Sequence, residues 1–296
     1  MTFSDLIQDI IDALTTGSFF ALFALGIALT FGIMRLVNFA HGELIMAGAY
    51  AVYFAQDLPW PLIVMIGVGT SIVLSLMVER LAFRPVRKGS PATLLITSFA
   101  VSFALQSLAR LIFTTLPKSA DINPVFRKSF EVGDVRISWL SVITMITTAV
   151  LLGGLALFLN RTRTGTQMRA AAEDFGMARL CGVPANRVIA GSFAIAGLLA
   201  GAGAVLLVAQ TGSISIGMGL TPVLFGFTAA TIGGLGSLSG AVVGGYVLGA
   251  ASVTLQNVLP FELGGYRDAF LFLAVFALLA LKPGGLFRVA AFEERV

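Results

Sequence analysis

Apolar runs of about twenty residues recur along the whole chain, and a hydrocarbon core about 30 Å thick asks for roughly that length of helix. Stretches such as LLITSFAVSFALQSLARLIF (94–113) are almost continuously apolar, whereas a strand of a membrane barrel alternates apolar and polar positions. Charged residues make up only 11% of the 296, against about a quarter in soluble chains, so an integral membrane protein follows. The expected fold is all-α: one polytopic transmembrane bundle over 1–296, with about eight or nine membrane segments including discontinuous or re-entrant helices.

The spans read at about 17–34, 36–55, 60–78, 92–113, 138–159 and 188–209. A glycine-broken pair follows at 220–236 and 239–259, and a last span at 268–282. The pair fits either two crossings or one re-entrant hairpin. Ahead of the first span, MTFSDLIQDIIDALTTGS has no basic start and no small-residue cleavage site, so it is not read as a signal peptide. Leu6, Ile10 and Leu14 share one helical face and Asp5, Asp9 and Asp12 another, which predicts a short interfacial helix over 1–16.

Placing the amino end outside puts most of the 19 lysines and arginines inside: Arg35; Arg80, Arg84, Arg87 and Lys88; Arg161, Arg163, Arg169, Arg179 and Arg187; Lys282, Arg288 and Arg295. The outside loop 114–137 holds Lys118, Arg127, Lys128 and Arg136 together with Asp121, Glu131 and Asp134. The positive-inside rule therefore orients the chain amino end out, carboxyl end in. It also accounts for the net charge of +4 without a nucleic-acid partner.

With one histidine and one cysteine, no catalytic triad, intramolecular disulfide or His/Cys metal cluster can be built inside the chain, and no lysine follows a Walker A glycine pattern. The chain is expected to be no enzyme, to bind no metal and to carry no cofactor. Three features remain. Gly197 and Gly201, the row Gly236, Gly240 and Gly244, and the pair Gly245 and Gly249 put small residues on single helix faces, where backbones can approach closely. GGLGSLSG (233–240) is too rich in glycine and serine for an ordinary mid-span helix, and a pathway-lining break competes there with plain packing.

RLVNFAHGELIMAGAY (35–50) sets Asn38, His41 and Glu43 within six positions of an otherwise apolar segment. Read as one helix, it places all three in the first two turns, near the inner end. Snorkelling to the interface, bonding to neighbouring helix ends or Arg35, lining the path or its inner gate, and contact with a coupling partner all fit.

The third feature is the polar segment 160–187. Thr164 or Thr166 can cap a helix running through Arg169 to Glu173, Asp174 can cap a second, Gly182 can end it in the left-handed conformation, and Pro184 stops it. Met168, Ala171, Ala172 and Phe175 fall at helical spacing as an apolar ridge that suits either a groove on a partner or the membrane surface.

This segment, extended from TRTGTQMRAAAEDFGMARLCGVPANR through GSFAIAGLLAGAGAVLL (162–207), resembles the coupling loop and following span of the branched-chain amino-acid permeases of ABC importers. Similar to that family too are GSFFALFALGIALTFGIMRLVNFAHGELIMAGAY (17–50), IGGLGSLSGAVVGGYVLG (232–249) and LKPGGLF (281–287). The resemblance implies one permease subunit of an inner-membrane importer of leucine, isoleucine and valine. Its partners would be a second homologous permease, two cytoplasmic ATPases that hold the ATP, and an extracytoplasmic solute-binding protein. Implied ATPase-coupling residues are Met168, Arg169, Glu173, Asp174, Phe175, Arg179 and Gly182. Candidates for the path or gate are Asn38, His41, Glu43, Gly233, Gly234, Gly236 and Ser237. Urea and short amides are alternative solutes within the same permease type, a sugar permease is a third option, and a secondary transporter or channel working alone is a reading from a different class.

Overall fold

A computed structural model describes residues 3–87, 89–120, 126, 128–282 and 285. Lys88, Asp121, Arg127, Arg288 and Arg295, and much of the motif at 281–287, lie outside the described residues. The first helix, α1 (Phe3–Met34), runs 32 residues without interruption. Of the interfacial helix expected over 1–16, residues 3–16 are thus the first turns of α1 rather than a separate piece. No proline interrupts 3–34 and Thr15 turns its hydroxyl back onto the Ile11 carbonyl, so nothing breaks the ladder. At 1.5 Å per residue α1 measures about 48 Å, longer than the hydrocarbon core.

Six residues of non-helical chain separate α1 from α2 (His41–Phe54), whose 14 residues span only about 21 Å. Helix α3 (Trp60–Val78) continues through a π-helical turn, Glu79–Phe83, into the single-turn α4 (Arg84–Val86). Next come α5 (Pro91–Phe113), capped by Ser90, and α6 (Trp139–Arg161), capped by Ser138. Between them lie β1 (Lys118–Ser119) and a hairpin of β2 (Ser129–Val132) and β3 (Val135–Ser138), in which Glu131 pairs with Arg136. Two short helices, α7 (Arg163–Glu173) and α8 (Phe175–Leu180), lead to α9 (Ala185–Thr211). Gly212 ends α9, β4 (Ser213–Ile214) pairs antiparallel with β1, and α10 (Leu220–Gly233), α11 (Leu238–Val258) and α12 (Arg267–Leu281) complete the bundle.

Among the described residues seven helical segments are long and apolar enough to cross a membrane, and α2 and α10 are shorter. The pair at 220–259 is two helices joined by a glycine turn, of which α11 is long enough to cross a membrane and α10, with 14 residues, is shorter. The molecule has a hairpin end, with β1 to β4, and a loop end, with α7 and α8.

Helix α1 lies at the centre, packed on α6, α9, α10 and α11. Small residues make its seams. Added Cβ atoms at Gly245 and Gly249 would collide with the α1 backbone at Ala21 and Gly17. On a second face of α11, Gly240 and Gly244 meet the α10 backbone at Gly233 and Ala229 in the same way. Gly197 and Gly201 of α9 abut α3, where their Cβ atoms would come within 2.8 and 2.6 Å of the Ile72 and Val68 Cα atoms. Such contacts carry helix association where lipid removes the hydrophobic difference between inside and outside. Gly236, by contrast, lies in the turn before α11 and extends no helical glycine row.

Candidate functional site

The segment 35–40 decides where the polar trio sits. Helix α1 stops at Met34 because Arg35 takes a positive φ of 53°. Asn38 then closes a turn, its Oδ1 accepting the Ala40 N–H at 3.1 Å, and α2 begins at His41. This corrects the expectation of one helix from 36: Asn38 belongs to the turn, and only His41 and Glu43 lie in α2. His41 is fully buried against Gly26, where an added Cβ would come within 2.5 Å of the ring Cε1. Gly26 lies eight residues from the end of α1, about 12 Å into the bundle. His41 therefore lies well away from the loop end of α1 and does not snorkel. Among the described residues neither ring nitrogen has a hydrogen-bond partner.

Glu43, in the first turn of α2, accepts the Ser102 hydroxyl and the Gln106 amide on one oxygen, both at 2.8 Å. Arg110 continues the row, its Nη2 donating to Gln106 Oε1 at 3.4 Å. These α5 residues escaped the sequence reading, yet Ser98, Ser102, Gln106 and Arg110 recur every fourth position in an apolar span, a spacing that marks one polar face. Phe39 stacks on Phe99 at 4.4 Å and Tyr50 on Phe113 at the same distance, so the polar contacts sit between two aromatic ones.

At the same depth α2 meets α10. A Cβ at Gly42 would stand 2.7 Å from the Gly219 carbonyl oxygen, and one at Gly219 would overlap the Gly42 carbonyl. Gly219 caps the start of α10, so two half-length helices begin side by side in the interior. Their first N–H groups are held by the turns ahead of them, those of His41, Gly42 and Glu43 by the carbonyls of Asn38, Phe39 and Ala40 and that of Leu220 by the carbonyl of Gly217. The positive ends of both helix dipoles meet in one region. Chain 213–219 descends to this point from the hairpin end, beside a cavity of about 560 Å3. Phe19, Phe20, Phe23 and Phe225 give that cavity an apolar wall; Thr16, Gln210, Ser215, Thr221 and Arg267 give it polar groups.

Gly233, Gly234, Gly236 and Ser237 are not part of this cluster. They form the turn between α10 and α11 at the loop end. Gly234 and Gly236 have φ of 101° and 93°, which only glycine adopts without strain, and Ser237 accepts the Gly240 N–H at 3.0 Å as the cap of α11. The turn faces α7: a Cβ at Gly32 would lie 3.7 Å from the Gly236 oxygen and 3.9 Å from Ala172 Cβ. A cavity of about 430 Å3 separates the remaining surfaces, between Leu29, Ile33, Leu159, Arg169, Glu173 and Ser239.

In the loop itself the first cap is Thr162, whose hydroxyl accepts the Gly165 N–H at 2.9 Å, rather than Thr164 or Thr166. Asp174 caps α8 through the Met177 N–H at 2.9 Å, Gly182 is left-handed at φ 84°, and Pro184 precedes α9. The ridge, open from sequence to a groove on a partner or to the membrane surface, turns inward onto its own chain instead. Met168 is 1% exposed, its terminal methyl lying where a Gly191 side chain would be, Ala171 is buried and Phe175 half-buried. Left outside are Arg169, Glu173, Asp174, Met177, Arg179, Leu180 and Gly182.

The family model described as "branched-chain amino acid transport system / permease component" matches residues 10–281. The chain is 34% identical to the high-affinity branched-chain amino acid transport system permease protein BraD of Pseudomonas aeruginosa, over 95% of each. It is 32% identical to the corresponding permease LivH of Escherichia coli, over 95% of this chain and 94% of that one. A third relative, the probable branched-chain amino acid transport permease LivH of Methanocaldococcus jannaschii, is 28% identical over 93% of this chain and 90% of its own. Over a match this long, the chain belongs to the family of branched-chain amino acid transport permeases.

Proposed function

We propose that this chain is the permease subunit of an ABC importer for branched-chain amino acids, working with a second homologous permease, two cytoplasmic ATPases that bind the ATP and an extracytoplasmic binding protein. The amino end faces outside and the loop end faces the cytoplasm, as the arginines of 161–187 favour. The observation that carries the reading is the meeting of α2 and α10 in the interior. The positive dipole ends of two half-length helices that start side by side suit a carboxylate passing at depth, and the phenylalanine wall of the cavity above suits an aliphatic side chain. Asn38, His41 and Glu43 border the path. The turn of Gly233, Gly234, Gly236 and Ser237 serves as its inner gate, and closure of the ATPases reaches it through α7. The exposed face of Arg169, Glu173, Asp174 and Arg179 engages the ATPase; Met168, Phe175 and Gly182 shape the helices that present it.

The test is reconstitution in vesicles with copurifying ATPases and binding protein. Leucine enters only with ATP, and isoleucine and valine compete while urea and acetamide do not. Accumulation by the lone chain under a proton or sodium gradient overturns the reading, and competition by urea or acetamide overturns the solute class.

A further inference from the structure

We infer that the His41 imidazole plugs the way between an outer and an inner cavity, and that its two ring nitrogens bond the charged head group of the solute as it passes. One stripe of α1 runs past both cavities. Thr16, Phe19 and Phe23 line the one at the hairpin end; Leu29 and Ile33 line the one at the loop end. Thr16, Phe19, Phe23, Gly26 and Ile33 fall at helical spacing on one face of the helix. From Phe23 to Leu29 the helix rises about 9 Å, so the wall between the cavities is little more than one side chain thick. In the middle of that wall the His41 ring fills the notch that Gly26 leaves. With no side chain on Gly26 to interlock with it, the ring can leave by a change of rotamer while α1 stays still.

Filling alone would need only the shape of the ring. His41 is fully buried, and among the described residues neither nitrogen has a partner, a cost that folded chains seldom leave standing. The nearby polar groups are already engaged: Thr30 turns its hydroxyl onto the Gly26 and Ile27 carbonyls, and Asn38 Oδ1 accepts the Ala40 N–H. A neutral imidazole offers one N–H donor and one acceptor. The head group of an amino acid uses both, the donor for its carboxylate and the acceptor for its ammonium. The head-group contact rests on the reading of the chain as an amino-acid permease; the plug does not.

The test uses the ATPase-bound complex in right-side-out vesicles, in a Cys181→Ser background with Ser239→Cys on the exposed wall of the inner cavity. A membrane-impermeant methanethiosulfonate is added outside without ATP. With His41 in place the new thiol stays unlabelled. His41→Ala lets the reagent through, and so does Gly26→Ala, whose methyl group would stand 2.5 Å from the ring and deny it the notch. His41→Phe keeps the thiol protected but lowers leucine uptake at least roughly tenfold, the size of one lost hydrogen bond to a charged group, and His41→Gln recovers part of it. Retained copurification of the ATPases shows that each variant folds. Labelling with His41 in place overturns the plug, and so does continued protection in both His41→Ala and Gly26→Ala. Normal uptake by His41→Phe overturns the head-group contact. Refusal of leucine by the unmodified complex overturns the amino-acid reading and that contact with it, while the labelling still decides the plug.

Discussion

At Gly42 and Gly219 two backbones touch where a methyl group has no room, and the φ of Gly219, −78°, puts no strain on an alanine there. Gly219→Ala therefore acts by collision alone. It should cost about 1–3 kcal/mol, seen as a lower unfolding midpoint in detergent, and should abolish uptake. Gly153→Ala in α6 is the matched control: nothing lies within 4 Å of its Cβ, so it should leave the midpoint unchanged or raise it. Glu43 offers a second comparison. Glu43→Ala and His41→Ala should each lower uptake with expression kept, and normal uptake in both would return the cluster to packing. Crossing Glu43→Ala with Ser102→Ala should give a coupling of about 1 kcal/mol. Sequence showed that the trio was polar in an apolar setting. It did not show the depth, because hydropathy is blind to where a helix starts, and Phe39-Ala40-His41 contains no residue that forbids helix.

Helices α7 and α8 were the most legible part of the chain, since their limits are set by local chemistry: Asp174 as a cap, Gly182 as a left-handed stop, Pro184 as a barrier. Asp174→Ala should cost about 1 kcal/mol by leaving the Met177 N–H without its acceptor, measured as a lower midpoint. Arg169→Glu with Arg179→Glu should leave ATP hydrolysis running while uptake falls, and unchanged transport would refute docking at this face. Which side of the ridge faces in was not legible. A helix of small and apolar residues reads alike whether its groove belongs to a partner or to its own α9, and Gly191 supplied the groove from this chain. The β2–β3 hairpin hides in a charged loop, although Gly133 and Asp134 between Phe130 and Ile137 are a two-residue turn signal. The merging of 3–16 into α1 follows from the lack of any proline there and from Thr15, whose hydroxyl turns back onto the Ile11 carbonyl instead of capping a new helix.

The bundle as assembled combines tight and loose parts. Helices α1, α10 and α11 meet backbone to backbone, whereas α5 and α12 are largely exposed and contact it less. If α7 moves together with α1, joining them should do no harm. In a Cys181→Ser background, Gly32→Cys with Ala172→Cys would bring Cβ atoms to about 3.9 Å, within disulfide range. The oxidised protein should keep most of its ATP-driven uptake. Loss of uptake that a reductant restores would mean that α7 slides across α1 during each cycle.

Because Gly233, Gly240, Gly244, Gly245 and Gly249 let backbone meet backbone, and Phe20 stacked on Phe225 fills the seam beside them, the three inner helices are locked closely together. A push delivered beside Gly32 should therefore carry α1, α10 and α11 along as one body and reach the start of α2 through Gly219.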